Sequence, residues 1–241
     1  MKKTIFYNKH KNLEAKLVDF AGWEMPINYS AGIIKESGFV RDSCGMFDVS
    51  HMGRIEIKGK NATKFIEKIL PIDVNKIKIS AAKYTLLINE KKEILDDLIV
   101  YKISEEEYLL VINASNTSED LKWITKNNKE VKILNITDNT GMLAIQGPEA
   151  INKINLLSNN AINDLGRYKY KDIEINGISV FVARTGYTGE DGVELIFDNN
   201  DAEKIWDLLS AKNIEPCGLG SRDLLRIEAG LHLYGHEINK N

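Results

Sequence analysis

Cysteine is almost missing from this chain. Only Cys44 and Cys217 occur in 241 residues, which excludes a disulfide scaffold and fits a reducing compartment. No run of about 18 apolar residues exists, so no membrane span is expected. Lys2 and Lys3 lead into no apolar stretch, so no signal peptide is expected either. Charge of one sign is also lacking. Lysine and arginine number 32 against 35 aspartates and glutamates, a net −3 with no basic stripe, which argues against nucleic acid as a partner. Low-complexity linkers and fixed-period repeats are absent. What is there is ordinary for a soluble globular protein: 43% apolar and 28% charged residues. The length suits one large domain or two interleaved small ones.

Several catalytic signatures are lacking too. His232 and His236 are four apart, but Gly230 and Gly235 break the helix that would align them, and no glutamate follows His232. Cys44 and His51 have no partners at ligand spacing, so no metal is expected. Neither a Gly-x-Ser-x-Gly elbow nor a phosphate-binding Walker loop occurs.

The elements that can be read are mixed. Residues 54–58 alternate with period two and predict a strand. Ala62, Phe65, Ile66, Ile69 and Leu70 then fall at helical spacing, and Pro71 ends that helix. Strands are predicted over 85–88, 94–102, 108–112 and 131–136, with a helix capped by Ser118 and buried through Leu121 and Ile124. Further on come a strand at 142–145, a helix from Pro148 to Leu157, and a hairpin 172–175/178–183 around Asn176-Gly177. A strand at 193–197 and helices over 201–211 and 221–229 follow, the last capped by Ser221 and stopped by Gly230. Strands that pair directly, with helices between some of them, imply an α+β fold.

Three constellations can carry chemistry. Asp96-Asp97 sits inside an apolar strand, where charge is costly unless paired or used. Alternation puts Asp97, Ile99 and Tyr101 on one face and Asp96, Leu98 and Val100 on the other, so the pair is either the polar end of a pocket or a solvated strand mouth. Gly186, Gly189 and Gly192 lie between two strands. They mark either a wide turn needing positive φ or a loop presenting Arg184, Tyr187 and Glu190 to a ligand. Arg222 falls in the first turn of its helix, against the helix dipole, and calls for an anion from the protein or from a ligand.

Seven segments together resemble one family. Asp19-Phe-Ala-Gly-Trp-Glu-Met-Pro26, Gly45-Met-Phe-Asp-Val-Ser-His-Met-Gly53, Asp96-Asp-Leu-Ile-Val-Tyr101, Val111-Ile-Asn-Ala-Ser-Asn116, Ala144-Ile-Gln-Gly-Pro148, Arg184-Thr-Gly-Tyr-Thr-Gly-Glu-Asp-Gly-Val-Glu-Leu195 and Gly218-Leu-Gly-Ser-Arg-Asp223 are similar, in order and spacing, to those of the glycine cleavage system T-proteins, the aminomethyltransferases. The resemblance implies a folate-binding α+β fold of two interleaved domains. One is formed by 1–51 with 140–241; the other, over 52–139, is a ferredoxin-like insert. Family members continue into a C-terminal β-barrel that has no counterpart in this chain. The implied activity is transfer of the methylene of the aminomethyl-lipoyl H-protein to tetrahydrofolate, with release of ammonia, in the cytoplasm and without a metal. The essential carboxylate of the family matches Asp97. Its folate contacts match Met52, Tyr84, Tyr101, Asn113, Tyr187, Glu194 and Arg222. One aromatic contact falls between Arg167 and Tyr168, and another on Leu231.

The same resemblance leaves other readings open. One is a non-catalytic or split-partner module that binds folate or H-protein. Another is the folate domain of a related demethylase or oxidase. The Lys-Gly-Cys-Tyr-x-Gly-Gln-Glu motif of iron–sulfur assembly relatives is not present at 184–190. Because the family's site is closed by the barrel, the resemblance also implies weak folate binding and little transfer by residues 1–241 alone, restored when a barrel is supplied as a separate or fused chain.

Overall fold

The computed structural model describes residues 1–240. They form two units: Met1–His51 with Asn139–Leu231, and Met52–Asp138 with 232–240. The division expected from the resemblance leaves residues 232–240 with the first unit; here they group with the inserted one, where the Tyr234 hydroxyl donates to the Ile94 carbonyl at 3.0 Å.

The first pass through the first unit carries α1 (Tyr7–Asn12), β1 (Lys16–Phe20), β2 (Trp23–Asn28), α2 (Ile33–Asp42) and β3 (Gly45–Asp48). None of these is legible from periodicity. β1 and β2 form a tight antiparallel hairpin, with Phe20 opposite Trp23 and positive φ at Ala21 and Gly22. Asp19 closes that turn by accepting from the Gly22 amide at 2.9 Å.

The inserted unit runs β4 (Gly53–Lys58), α3 (Ala62–Ile69), β5 (Ala81–Ile88), β6 (Ile94–Ser104), β7 (Glu107–Ile112), α4 (Thr117–Lys126) and β8 (Lys132–Asn135). Its antiparallel sheet has the order β5-β6-β7-β4-β8. With β5 set aside, the β-α-β-β-α-β path and this order are ferredoxin-like. Ile55, Ile57, Leu98, Val100, Leu110 and Ile112 share one core with Phe65, Ile66 and Ile69 of α3 and Ile124 of α4. Leu98 and Val100 thus mark the core face of β6, and alternation turns Asp97 and Tyr101 to the other face. Asn116, not Ser118, is the residue before α4, and its side chain reaches Asp96 instead of capping the helix.

The second pass through the first unit adds β9 (Thr140–Gln146), α5 (Ala150–Leu157), β10 (Tyr170–Ile175), β11 (Ile178–Ala183), β12 (Gly192–Asp198), α6 (Ala202–Ser210), β13 (Glu215–Pro216) and α7 (Leu219–Glu228). The sheet order is β10-β11-β12-β9-β3-β13, antiparallel except for β13 on β3. Asn176 and Gly177 both take positive φ, as the two-residue hairpin requires. The core gathers Phe6, Leu143, Ile145, Val180, Val182, Val193, Leu195, Trp206 and Leu209. α7 begins two residues before the expected cap, at Leu219. Its N-terminus is closed from α2, where Glu36 accepts from the Gly218 amide at 2.8 Å and from the Ser221 hydroxyl at 3.4 Å.

Candidate functional site

In the inserted unit both aspartates of the pair are buried, which removes the solvated-mouth reading. Asn113, just past β7, ties them together. Its backbone amide donates to Asp96 Oδ2 at 3.0 Å, and its side-chain Nδ2 donates to Asp96 Oδ1 at 2.9 Å and Asp97 Oδ1 at 2.7 Å. Asn116 Nδ2 adds a further bond to Asp96 Oδ1 at 2.9 Å. Tyr84, on the neighbouring strand β5 and 42% exposed, gives its hydroxyl to Asp97. Burial pushes the Asp97 carboxyl above the ordinary carboxylate range. The Tyr84 bond opposes that, the Asp96 charge adds to it, and the Asn113 bond opposes it again. A carboxyl so placed holds a proton more readily than an exposed one and is positioned for acid–base work.

Tyr101 and Met52 belong to the same unit. Tyr101 is fully buried, opposite Ala82 and Leu109. Met52 is partly exposed, and its carbonyl accepts from Arg54 Nη1 at 2.7 Å. Arg54 is itself fully buried and also donates to the Thr137 carbonyl at 2.6 Å. The strand pattern at 54–58 gave no signal of this role, because a period-two pattern places an arginine on a face without saying whether water reaches it.

In the first unit the glycine loop between β11 and β12 is fixed by arginines. Arg184 makes a forked pair with Asp191, at 3.1 and 2.5 Å, and donates to the Leu165 carbonyl at 2.6 Å. Arg41 donates to the Thr188 carbonyl, Glu190 and Glu228, each at 2.8 Å. Arg184 and Glu190 are therefore engaged within the protein, and only Tyr187 of the three candidates turns toward Arg222. Of Gly186, Gly189 and Gly192, Gly189 alone takes positive φ. Gly186 answers a different need, since a Cβ there would strike the Gln146 side chain, whose Nε2 donates to the Thr185 carbonyl at 3.2 Å.

Arg222, on α7, lies with its guanidinium carbon 4.9 Å from the Tyr187 ring centre and 6.0 Å from that of Phe47. Its Nη1 is shut off from solvent and has no hydrogen-bond partner among the described residues. Burial lowers the Arg222 pKa, while Glu194 and Tyr187 pull it back up. Glu194 is buried on β12 and accepts from the Thr185 hydroxyl at 2.6 Å. Tyr168 is exposed, with positive φ, beside exposed Arg167; Leu231 is partly buried, and its carbonyl accepts from Arg226 at 3.2 Å. Among the described residues no cluster of three or more His, Cys, Asp or Glu could hold a metal ion, and no helix is long and apolar enough to cross a membrane.

The model of the GCVT N-terminal domain family matches residues 6–241. An aminomethyltransferase of Thermotoga petrophila is 43% identical over 247 residues, an alignment that covers all of this chain and 68% of that protein. The crystal structure of the glycine cleavage system aminomethyltransferase T from Bartonella henselae superposes with a TM-score of 0.93 at 35% identity, over all of this chain and 66% of that one. The chain thus spans about two thirds of the length of these relatives. The heterotetrameric sarcosine oxidase of Corynebacterium sp. U-96 aligns with 78% of the chain at 12% identity and a TM-score of 0.51, a likeness of fold alone.

Proposed function

The chain belongs to the GCVT N-terminal domain family, that of the glycine cleavage aminomethyltransferases, and from this premise we propose that it takes part in methylene transfer from the aminomethyl-lipoyl H-protein to tetrahydrofolate. The products are methylenetetrahydrofolate, ammonia and the reduced lipoyl arm, and the compartment is the cytoplasm. The observation that carries the reading is the Asp97 carboxyl, buried, raised in pKa and aimed by Tyr84 and Asn113. The reaction asks for little else from the protein. Ammonia leaves protonated while the folate nitrogens lose protons as they attack the methylene carbon. A positioned carboxyl can carry that proton traffic or orient the folate. The remaining rate comes from alignment and from keeping water off the reactive carbon, which would otherwise be lost as formaldehyde.

The proposed folate contacts are those the family resemblance carries onto this sequence, Met52, Tyr84, Asn113, Tyr187, Glu194 and Arg222. Tyr101 has no exposed surface, so its place in this reading is behind that set. Arg222 suits a negative or hydrogen-bond-accepting group of folate, because its Nη1 is desolvated and unpaired.

The test is a coupled assay with aminomethylated H-protein and tetrahydrofolate. It is run on the chain as it stands and on a fusion to the remaining third of the Thermotoga petrophila relative. Asp97→Asn is expected to keep the fold and to lower transfer about 10²–10⁴-fold, the range a positioned acid–base supplies. Equal turnover by variant and parent would overturn the assignment of Asp97. Absence of both transfer and calorimetric folate binding in the parent fusion would overturn the function.

A further inference from the structure

Beneath the Asp96–Asp97 pair lies a third acid that the proposed chemistry does not use. Asp120, in the first turn of α4, is 2% exposed, and its carboxyl meets that of Asp96. Two carboxyl groups in contact inside a protein cannot both ionise, so one of them keeps a proton. The donors around them decide which. Asp96 accepts three N–H bonds, two from Asn113 and one from Asn116, and these favour its anion. Asp120 Oδ2 is buried and meets no donor among the described residues. A carboxylate left so would bear the full cost of desolvation, whereas a carboxylic acid brings its own donor.

The other groups that bear on Asp120 do not reverse this. Glu119, on the same helix, adds negative charge. Tyr234, from residues 232–240, gives its hydroxyl to the Ile94 carbonyl and not to the acids. The helix N-terminus favours an anion at this position, but by less than burial and the Asp96 charge oppose it. Burial first, then Asp96, push the Asp120 carboxyl up to about 10.

We propose that Asp120 is a positioning residue, a carboxylic acid that stays protonated, whose O–H donates to Asp96 and thereby fixes Asn113 and the carboxyl of Asp97. The route is short. Asp96 anchors both the backbone amide and the side-chain amide of Asn113, and the same Nδ2 then reaches Asp97 Oδ1. The consequence for rate rests on the transferase reading of Asp97. The protonation of Asp120 and its grip on Asp97 do not.

Carbon-13 NMR of the chain labelled at aspartate carboxyls tests both parts without an activity assay. A carboxyl signal at the protonated position, unmoved between about pH 5 and about pH 8 and missing in Asp120→Asn, is expected. An Asp120 signal that is already ionised near neutral pH would overturn the proposal. Asp120→Asn, a neutral donor of similar shape, is expected to leave the titration midpoint of Asp97 in place, whereas Asp120→Leu moves it by about one unit. An unmoved midpoint in folded Asp120→Leu, or a shift in Asp120→Asn equal to that in Asp120→Leu, would show a merely structural residue. Should the leucine variant fail to fold, Asp120→Ser supplies the comparison, its shorter hydroxyl leaving Asp96 without its donor. In the coupled assay Asp120→Leu is expected to lower kcat about tenfold, part of what a positioned acid–base supplies, with a smaller change in KM for folate. Wild-type NMR behaviour with no transfer by the parent would fault the transferase reading and leave the Asp120 proposal standing.

Discussion

Two buried carboxylates of the first unit, Glu36 and Asp48, stand against three of the inserted unit, Asp96, Asp97 and Asp120. All five are acids withdrawn from water, yet they are treated in opposite ways. Asp48 accepts from the Thr4 hydroxyl at 2.6 Å and the Ser50 amide at 2.9 Å, and it lies 2.9 Å from His10 Nε2. Burial pushes its carboxyl up, but His10, Thr4 and Ser50 together hold it below the ordinary range. Glu36 accepts from the Tyr29 amide at 2.6 Å, the Gly218 amide at 2.8 Å and the Ser221 hydroxyl. In the inserted unit Asp97 and Asp120 lie beside the negative Asp96 and not beside a histidine, Asp120 Oδ2 meets no donor among the described residues, and both carboxyls are raised. Burial raises the carboxyls of Asp48, Asp97 and Asp120 alike, and the charge and donors set against it separate an anchor from a proton holder. The pH dependence follows with opposite signs. Asp48, depressed in the folded state, contributes stability above its unfolded pKa of about 3.9 and loses it as pH falls. Asp97 and Asp120, raised in the folded state, cost stability as pH rises above that same value.

The comparison is tested most severely at Glu36. Glu36→Ala leaves the Tyr29 and Gly218 amides buried without acceptors, at about 1–3 kcal/mol each. A loss of about 2–5 kcal/mol in urea unfolding is therefore expected, and the α7 N-terminus that carries Arg222 loosens with it. Asp120→Asn should cost far less despite equal burial, since the proton already makes that side chain neutral. Equal losses for the two variants would break the distinction between anchor and proton holder.

Much of the fold was legible from the sequence, and the places where it was not share a cause. Residues 54–58, 62–70 and the Asn176-Gly177 hairpin announce themselves because periodicity and turn chemistry are local. Ser118 and Ser221 misled because α4 and α7 have no side-chain cap of their own. The cap of α7 comes from Glu36, remote in sequence, and no window-based pattern reaches that far. α1 and α2 passed unread for the same reason, being short and held by tertiary contacts. At the site, alternation alone placed Asp97 with Tyr101 and the helix dipole singled out Arg222, but Tyr84 and Asn113 entered only through the family resemblance. Asp120 was missed because an aspartate in the first turn of a helix reads as a surface residue that favours the dipole.

A second contrast lies among the arginines of the first unit. Arg184 and Arg41 spend their donors on carboxylates and carbonyls of the chain, whereas Arg222 keeps a buried nitrogen without a partner. Arg222→Ala is expected to weaken folate binding by about 1–3 kcal/mol, the worth of a charge-assisted bond, with stability unchanged or raised. Isothermal calorimetry beside thermal unfolding separates the two effects. Unchanged folate affinity with lowered stability would make Arg222 a structural residue like the other two.

The smallest effect is expected at the partner of Arg184. Asp191 is about a third exposed, and its carboxyl is lowered chiefly by the Arg184 bond, with burial opposing and the Gly192 amide assisting. A lowered folded-state pKa stabilises the fold above the unfolded value and loses that contribution as pH falls through the folded one. Exposure and counterions discount the pair, so Asp191→Asn is expected to cost no more than about 1 kcal/mol at neutral pH. That cost should begin to fade below about pH 4 and vanish once pH has fallen through the lowered folded-state value, where parent and variant are equally uncharged, and it should shrink with added salt. A cost that persists unchanged to low pH would mean that the forked geometry, not the charge, holds the loop, and would place Arg184–Asp191 with Glu36 among the anchors.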